Sequence, residues 1–199
     1  MKTALFALIT ALALPSLAIA DDTKTTADKT KAPAKLADED VKLVAHVHHV
    51  NMMEVDMGKL AQQRGGADVK KYGQTLVTDH TASDKDLTAF AKTKGVAKIP
   101  TDVPMSDTEK QDMKDGMTKM GELKRMKGAE FDRQFLMMMT TDHDKEIARL
   151  DAALPGIKDA DLAMKMKDLR PVLQRHADTA RELSKQAPTA SLGTTPAKN

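Results

Sequence analysis

Four ionisable residues occupy positions where the sequence pattern calls for an apolar side chain. In four segments, apolar residues recur every three or four positions, as they do on the buried face of an amphipathic helix. Each series is interrupted near its middle by one ionisable residue, namely Glu54, His80, His143 and His176. A buried carboxylate or imidazole without a partner destabilises a fold, so the four groups are expected to contact one another.

Two interpretations of this set remain open at the level of sequence. Three neutral imidazoles and a carboxylate suit a divalent transition metal such as zinc, iron, manganese or copper. Alternatively, the four groups form a metal-free polar layer, in which Glu54 accepts hydrogen bonds from the histidines and fixes the register of the helices. Either arrangement should respond to acid, because charging clustered imidazoles brings repulsion and desolvation.

The four segments are predicted to be helices that place these residues at one depth. The apolar series run over 43–61, 69–90, 136–154 and 162–183. Gly65-Gly66 ends the first segment, Gly95 the second and Pro155-Gly156 the third, while Pro171 is expected to kink the fourth. Counted from the two short turns, the paired ionisable residues differ in depth by about one helical turn. They should therefore converge on one layer.

The connections between the segments predict the topology. Short turns join the first segment to the second and the third to the fourth, which predicts two antiparallel hairpins. The connection 95–128 is much longer, and Ser106 can cap a short amphipathic helix within it. One face of that helix carries Met113, Met117, Met120 and Leu123. The predicted fold class is all-α, a ferritin-like four-helix bundle whose crossover between helices 2 and 3 contains this short helix.

The ends of the chain differ in composition from its centre. Residues 1–20 combine Lys2, a long apolar run and a final Ala-Ile-Ala, which predicts a cleaved secretory signal peptide and export to a bacterial periplasm. Residues 21–38 and 186–199 contain almost no large apolar side chain and are predicted to be disordered tails. The folded domain is therefore expected at 39–185.

Composition excludes several classes of function. The chain has no Cys, so it lacks the ligands of zinc fingers and iron–sulfur clusters. Aromatic residues make up only 3% and the net charge is only +2, which argues against nucleic-acid partners. No apolar run after residue 20 is long enough to span a membrane.

Enzymatic motifs are also missing from the sequence. There is no catalytic Ser/His/Asp order, no phosphate-binding loop and no zincin motif, so we expect neither an organic cofactor nor, on balance, an enzyme. A di-iron site needs Glu three residues before its histidines. Here those positions hold Val77, Thr140 and Leu173.

Two weaker signals accompany the main set. His46, His49 and Met53 lie one turn apart on the first segment, and imidazole with thioether is a copper-like ligand set, although methionine is also a common core filler. Asp79 and Asp142 precede two of the histidines and point about 100° away from them on a helix. They are hydrogen-bond partners of metal ligands, caps to a neighbouring helix or solvent-exposed residues.

Three stretches of the chain resemble an exported ferritin-like family called domain of unknown function 4142. They are EVDMGKLAQQRGGADVKKYGQTLVTDH (54–80), GAEFDRQFLMMMTTDHDKEIARLD (128–151) and LRPVLQRHADTARELS (169–184). The resemblance covers roughly residues 42–185 and includes all four ionisable residues of the predicted layer. It implies a periplasmic or outer-membrane-associated helical bundle without an assigned reaction. A role in metal storage, metal sensing or stress protection, or a structural role, is compatible with it.

Overall fold

The structure, a computed structural model, describes residues 35–101, 104 and 107–186, and these contain helices but no β-strand. The predicted all-α class is therefore confirmed for this part of the chain. The helices are α1 (Asp38–Arg64), α2 (Ala67–Thr93), α3 (Asp107–Leu123), α4 (Gly128–Ala153) and α5 (Ala160–Gln186), with a short 3₁₀ turn at Leu154–Gly156 before α5. The signal peptide predicted at 1–20 and most of the predicted tails, at 21–34 and 187–199, lie outside the described residues.

Local chemistry explains where the helices begin and end. Acidic residues occupy the first turn of α1 and Arg64 its last turn, which complements the helix dipole. Gly95 follows α2 with a φ of 82°, a left-handed conformation that favours glycine and stops the helix. The carboxylate of Asp159 accepts hydrogen bonds from the backbone N–H groups of Asp161 and Leu162, and so caps α5. Pro171 lies inside α5, which continues past it.

Helix packing is closest between α1 and α2 and between α4 and α5, and α2 also contacts α5 while α1 contacts α4. Two glycines allow α1 and α2 to approach at backbone distance. A Cβ atom added at Gly58 would lie 2.6 Å from the carbonyl oxygen of Gly73, and one added at Gly73 would lie 2.6 Å from that of Gly58. Any side chain at either position would force the two helices apart.

Polar contacts at the helix ends hold the elements in register. Asp40 is buried at the start of α1 and accepts hydrogen bonds from the backbone N–H groups of Lys158 and Asp159, just before α5. Lys94, at the end of α2, forms ion pairs of 2.7 Å with Asp159 and with Asp161. At the opposite end, Asp132 of α4 accepts hydrogen bonds from the N–H of Gly66, which precedes α2.

The apolar core consists of two clusters separated by a polar layer. One cluster contains Val47, Leu87, Ile147 and Leu173, and the other contains Met57, Leu76, Met139 and Ala180. Each of the four long helices thus contributes to both clusters, and the buried polar residues other than Asp40 lie between the two contributions. These residues are Asn51, Glu54, His80, His143 and His176. The predicted convergence of Glu54 and the three histidines on one level is consistent with this arrangement.

Two further observations concern the edges of the described region. Leu36, which falls in the predicted N-terminal tail, is buried and packs into the first apolar cluster. None of the helices in the described part of the chain is long and apolar enough to cross a membrane.

Candidate metal centre

Three histidines from three helices meet in the polar layer. His80 of α2, His143 of α4 and His176 of α5 are all buried, and one ring nitrogen of each lies within 4.8 Å of those of the other two. The ring centroids are 5.2 Å apart for His80 and His176, 5.3 Å for His143 and His176, and 5.8 Å for His80 and His143. The three rings therefore surround a common point at nearly equal separations.

The outward-facing nitrogen of each ring is held by a hydrogen-bond acceptor. His143 Nδ1 donates to the carbonyl oxygen of Met139 at 2.8 Å, and His176 Nε2 donates to the carboxylate of Asp79 at 2.9 Å. His80 Nδ1 lies 2.9 Å from Oδ1 of Asn51, whose amide nitrogen in turn donates to the hydroxyl of Ser83. That second bond orients the Asn51 amide so that its oxygen faces His80.

These partners determine which ring nitrogens carry protons. A carbonyl or carboxylate oxygen can only accept, so each outward-facing nitrogen bears the hydrogen of the neutral ring. The other nitrogen of each ring therefore carries a lone pair and no hydrogen. These nitrogens are Nε2 of His80, Nε2 of His143 and Nδ1 of His176. Nε2 of His143 and Nδ1 of His176 face each other at 3.3 Å, and Nε2 of His80 is buried without a hydrogen-bond partner among the described residues. Lone pairs at this separation repel unless a proton or a cation lies between them.

Burial keeps the three imidazoles neutral. Desolvation, together with repulsion from His143 and His176 when they are charged, lowers the pKa of His80 to about 2. Desolvation is also the main cause that lowers the pKa of His143 and the pKa of His176, against the opposing effects of their acceptors. The neutral imidazole is the form that binds a metal.

Glu54 lies beside the triad, on α1. Its Oε1 is 3.9 Å from Nδ1 of His143, which is too long for a hydrogen bond and is on the side of the ring that already donates to Met139. Its Oε2 is buried without a hydrogen-bond partner among the described residues. Desolvation, followed by repulsion from Asp142 and Glu146, raises the pKa of Glu54 to about 8. The structure thus brings the three histidines together and leaves Glu54 adjacent to them.

A tyrosine and a phenylalanine close one side of the site. The Tyr72 hydroxyl donates to the carbonyl oxygen of His176 at 3.0 Å, which ties α2 to α5 next to the ligand. The Tyr72 ring meets the rings of His176 and Phe135 edge to face. These contacts exclude water from that wall and fix the backbone that carries His176.

The weaker sequence signals have separate outcomes. Asp79 is a hydrogen-bond partner of His176, which is one of the three alternatives that the sequence left open. Asp142 instead lines a cavity between α3 and α4. His46 Nε2 lies 3.0 Å from Oε2 of Glu146, so this histidine interacts with a carboxylate. Sequence reasoning missed Asn51, although this residue lies on the buried face of α1, four residues after Val47 and three before Glu54.

The donor set fits a transition metal better than a metal-free layer. Imidazole nitrogens suit zinc, copper, iron and nickel, and metal-bound histidines usually donate their other N–H to a carboxylate, carbonyl or amide, as all three rings do here. A metal-free layer would require Glu54 to accept from the histidines. The structure instead leaves Glu54 Oε2 and His80 Nε2 buried and without a hydrogen-bond partner within the described region.

The fold and the site together define an all-helical protein with a buried three-histidine centre. The chain belongs to the family described as domain of unknown function (DUF4142), whose model matches residues 25–183. No curated protein is significantly similar in sequence. Among solved structures, the fold is similar to a chain described as CopM in the Cu(I)-bound form, with a TM-score of 0.56 and 13% identity. The match covers 74% of this chain and 94% of that one.

Proposed function

We propose that this protein is an exported, periplasmic, ferritin-like helical bundle that binds a transition metal through His80, His143 and His176. The observation that carries the proposal is the convergence of one ring nitrogen from each of three buried histidines within 4.8 Å, in rings that each contact a hydrogen-bond acceptor through a nitrogen. The ion would serve storage, sensing or protection against metal stress. Copper is the first candidate because the similar chain, CopM, is described in a Cu(I)-bound form.

The ferritin-like topology with a crossover is part of the same proposal. The contact of Lys94 with Asp159 and Asp161, at one end of the helices, supports an antiparallel α2 and α5. The contact of Gly66 with Asp132, at the other end, supports a parallel α2 and α4. A parallel pair requires the chain between them to return along the bundle, and α3 lies within that connection.

Glu54 is proposed as the fourth ligand. Its Oε2 is buried and unpartnered among the described residues, but Oε1 lies on the outer side of the His143 ring, so binding requires a different Glu54 rotamer and loss of the carboxyl proton. A carboxylate moved in this way would complete a tetrahedral set for zinc or copper. Glu54→Gln keeps the shape of the side chain and removes the charge. We expect it to lower metal affinity if Glu54 binds the ion, whereas unchanged affinity would reduce the ligand set to the three histidines.

Metal analysis of the purified, chelator-treated protein tests the main proposal. We expect one equivalent of copper or zinc to be retained after gel filtration and to raise the melting temperature, since an ion that binds only the folded state stabilises it. The His143→Leu variant should lose both effects, and His48→Gln, which alters a histidine outside the triad, should keep them. Failure of copper, zinc, iron and manganese to bind would contradict the proposal.

A double variant tests the alternative, a non-enzymatic structural or stress-related protein with a metal-free polar layer. Under that alternative, replacing His143 and Glu54 together by leucine should leave the free energy of unfolding unchanged or raise it, because well-packed apolar groups can replace a buried polar cluster. Under our proposal, the double variant loses all ion-dependent stability.

A further inference from the structure

Every large apolar side chain that is exposed in the described part of the protein belongs to a methionine. These side chains, called the exposed methionines below, are those of Met52, Met53, Met117, Met137 and Met164, and between 36% and 68% of each is exposed. None of the 13 leucines in the same part of the chain is exposed, and none of the isoleucines, valines or phenylalanines is. The surface thus accepts methionine where it excludes the other large apolar residues.

Neither packing nor helix propensity explains this choice of residue. A side chain that stays largely in water gains little hydrophobic stabilisation. Leucine favours helices as much as methionine does, yet no leucine is exposed on these helices. The exposed methionines lie on four different helices, two on α1 and one each on α3, α4 and α5. The property that methionine has and leucine lacks is the reactivity of its thioether sulfur.

Thioether sulfur reacts with oxidants that remove two electrons from it. With hypochlorous acid, the sulfur attacks chlorine and releases hydroxide, and water then displaces chloride from the sulfur. The net reaction converts one thioether and one hypochlorous acid into a sulfoxide, a chloride ion and a proton, so sulfur loses two electrons and chlorine gains them. Methionine sulfoxide reductases return the sulfoxide to the thioether, so the modification is reversible.

The other side chains that such an oxidant attacks first are absent or buried. The chain has no cysteine and no tryptophan, and its one tyrosine, Tyr72, is buried. Susceptibility to oxidation follows exposure, so an oxidant in solution meets the exposed methionines first.

The buried methionines would suffer most from the same reaction. Met57, Met139 and Met166 are at most 3% exposed and belong to the two apolar clusters. A sulfoxide at any of these positions would place an unpaired polar group in the core, whereas the oxygen added to an exposed methionine faces water. Oxidation at the surface therefore spares the fold, and oxidation of the interior disrupts it.

We propose that the exposed methionines are sacrificial oxidation sites, which consume hypochlorous acid or a similar two-electron oxidant before it reaches the interior. Each sulfur needs only access to solvent, so the five side chains act independently of one another. The role does not depend on metal binding by the histidines.

Oxidation with a limited dose, followed by peptide mapping, tests this proposal. The metal-free protein receives five equivalents of hypochlorous acid, one for each exposed methionine, and mass spectrometry locates the sulfoxides. We expect at least about tenfold more sulfoxide at the exposed methionines than at Met57, Met139 and Met166. The melting temperature should change by less than about 2 °C, because surface changes rarely alter stability. Equal oxidation of exposed and buried methionines, or a larger fall in melting temperature, would overturn the proposal.

Variants distinguish protection from exposure alone. Leucine at the five exposed positions conserves volume and helix propensity, so the fold should be retained. At the same dose, we expect this variant to contain more sulfoxide in the core and to melt at a lower temperature than the oxidised wild type. A variant with glutamine at the five positions should behave alike, which excludes an effect of exposed leucines. The control, with leucine at the half-buried Met113, Met120 and Met126, should be oxidised in the core no more than the wild type is.

The level of core oxidation in these variants decides the outcome. If the core methionines of the leucine and glutamine variants acquire no more sulfoxide than those of the wild type, the exposed methionines do not protect the interior and the proposal is wrong.

Discussion

The inner and outer histidines of this protein differ in what they face. His80, His143 and His176 turn one nitrogen outward to an acceptor and the other towards one another. His48, at the rim, instead lies 2.6 Å from the carboxylate of Asp84, with its side chain 28% exposed. Burial disfavours a positive charge on the inner histidines. The same residue type therefore serves as a partner of a carboxylate outside and as a candidate ligand inside.

Removing one inner imidazole should have the largest effect on this contrast. We expect alanine at His80, His143 or His176 to lower metal affinity by more than about 100-fold, beyond the roughly 10–100-fold typical for a residue that only supports a ligand. The measurement is competition with a chelator of known affinity. Alanine at His48 should change the affinity by less than about twofold, and a similar loss in both groups would remove the distinction.

Acid should destabilise the metal-free protein through the inner histidines. Their pKa values are lowered in the folded state, so the unfolded chain takes up protons near its ordinary value of 6.5 that the folded chain does not. Their contribution to stability is complete above pH 6.5 and is lost as the pH falls. Glu54, whose pKa rises to about 8, acts in the opposite sense, since its contribution is present below 4.5 and is lost as the pH rises through 8.

Between pH 6.5 and 5, the stability lost through the three histidines exceeds the stability gained through Glu54. The free energy of unfolding should therefore fall as the pH is lowered through this range, by about 1.4 kcal/mol per pH unit for each proton that the unfolded chain takes up in excess of the folded chain. Urea unfolding at a series of pH values measures the slope. His143→Leu should reduce the slope, and a flat profile would contradict the account.

The acceptors behind the inner rings should have a smaller effect. Asn51→Ala and Asp79→Asn each remove or weaken the group that fixes a tautomer, and we expect a loss of about 10–100-fold in metal affinity. Asp84→Asn, which alters the acceptor of an outer histidine, is the matched control and should leave affinity unchanged. Equal losses in Asp79→Asn and Asp84→Asn would indicate a general electrostatic effect.

The outer pair should matter least. We expect Asp84→Asn to change the free energy of unfolding at neutral pH by about 0–1 kcal/mol, because a partly exposed contact between polar side chains competes with water. Chemical unfolding at low and high salt measures this. A loss above about 2 kcal/mol would place His48 and Asp84 among the groups that hold the fold together.

The apolar periodicity of a helix predicts well at which level of the bundle a side chain lies, and predicts poorly in which direction it points. Each apolar helix face contains one ionisable residue, and this predicted that His80, His143 and His176 share a level, because the 3.6-residue repeat determines which residues lie on one face. The same argument placed Glu54 at that level but could not show that its oxygens approach the outer side of the His143 ring. That outcome depends on side-chain rotamers, which spacing does not specify.

The supporting contacts were harder to foresee. The acceptor for His143 is the backbone carbonyl of Met139, and a backbone group has no signature in the sequence. Asn51 was detectable in principle, since a polar residue four positions after Val47 faces the core. Asp79 was considered because it precedes His80, yet its partner is His176 on another helix, which only tertiary packing reveals.

Nitrogen NMR of the histidine rings tests the central claim most directly. Long-range ¹H–¹⁵N correlation spectra of the metal-free protein at neutral pH should assign unprotonated nitrogens to Nε2 of His80, Nε2 of His143 and Nδ1 of His176. One equivalent of Cu(I) or Zn(II) should shift these three resonances together and leave those of His46 and His48 in place. Protonated inner nitrogens in the metal-free protein, or shifts confined to the outer histidines, would contradict the assignment of the triad as a metal centre.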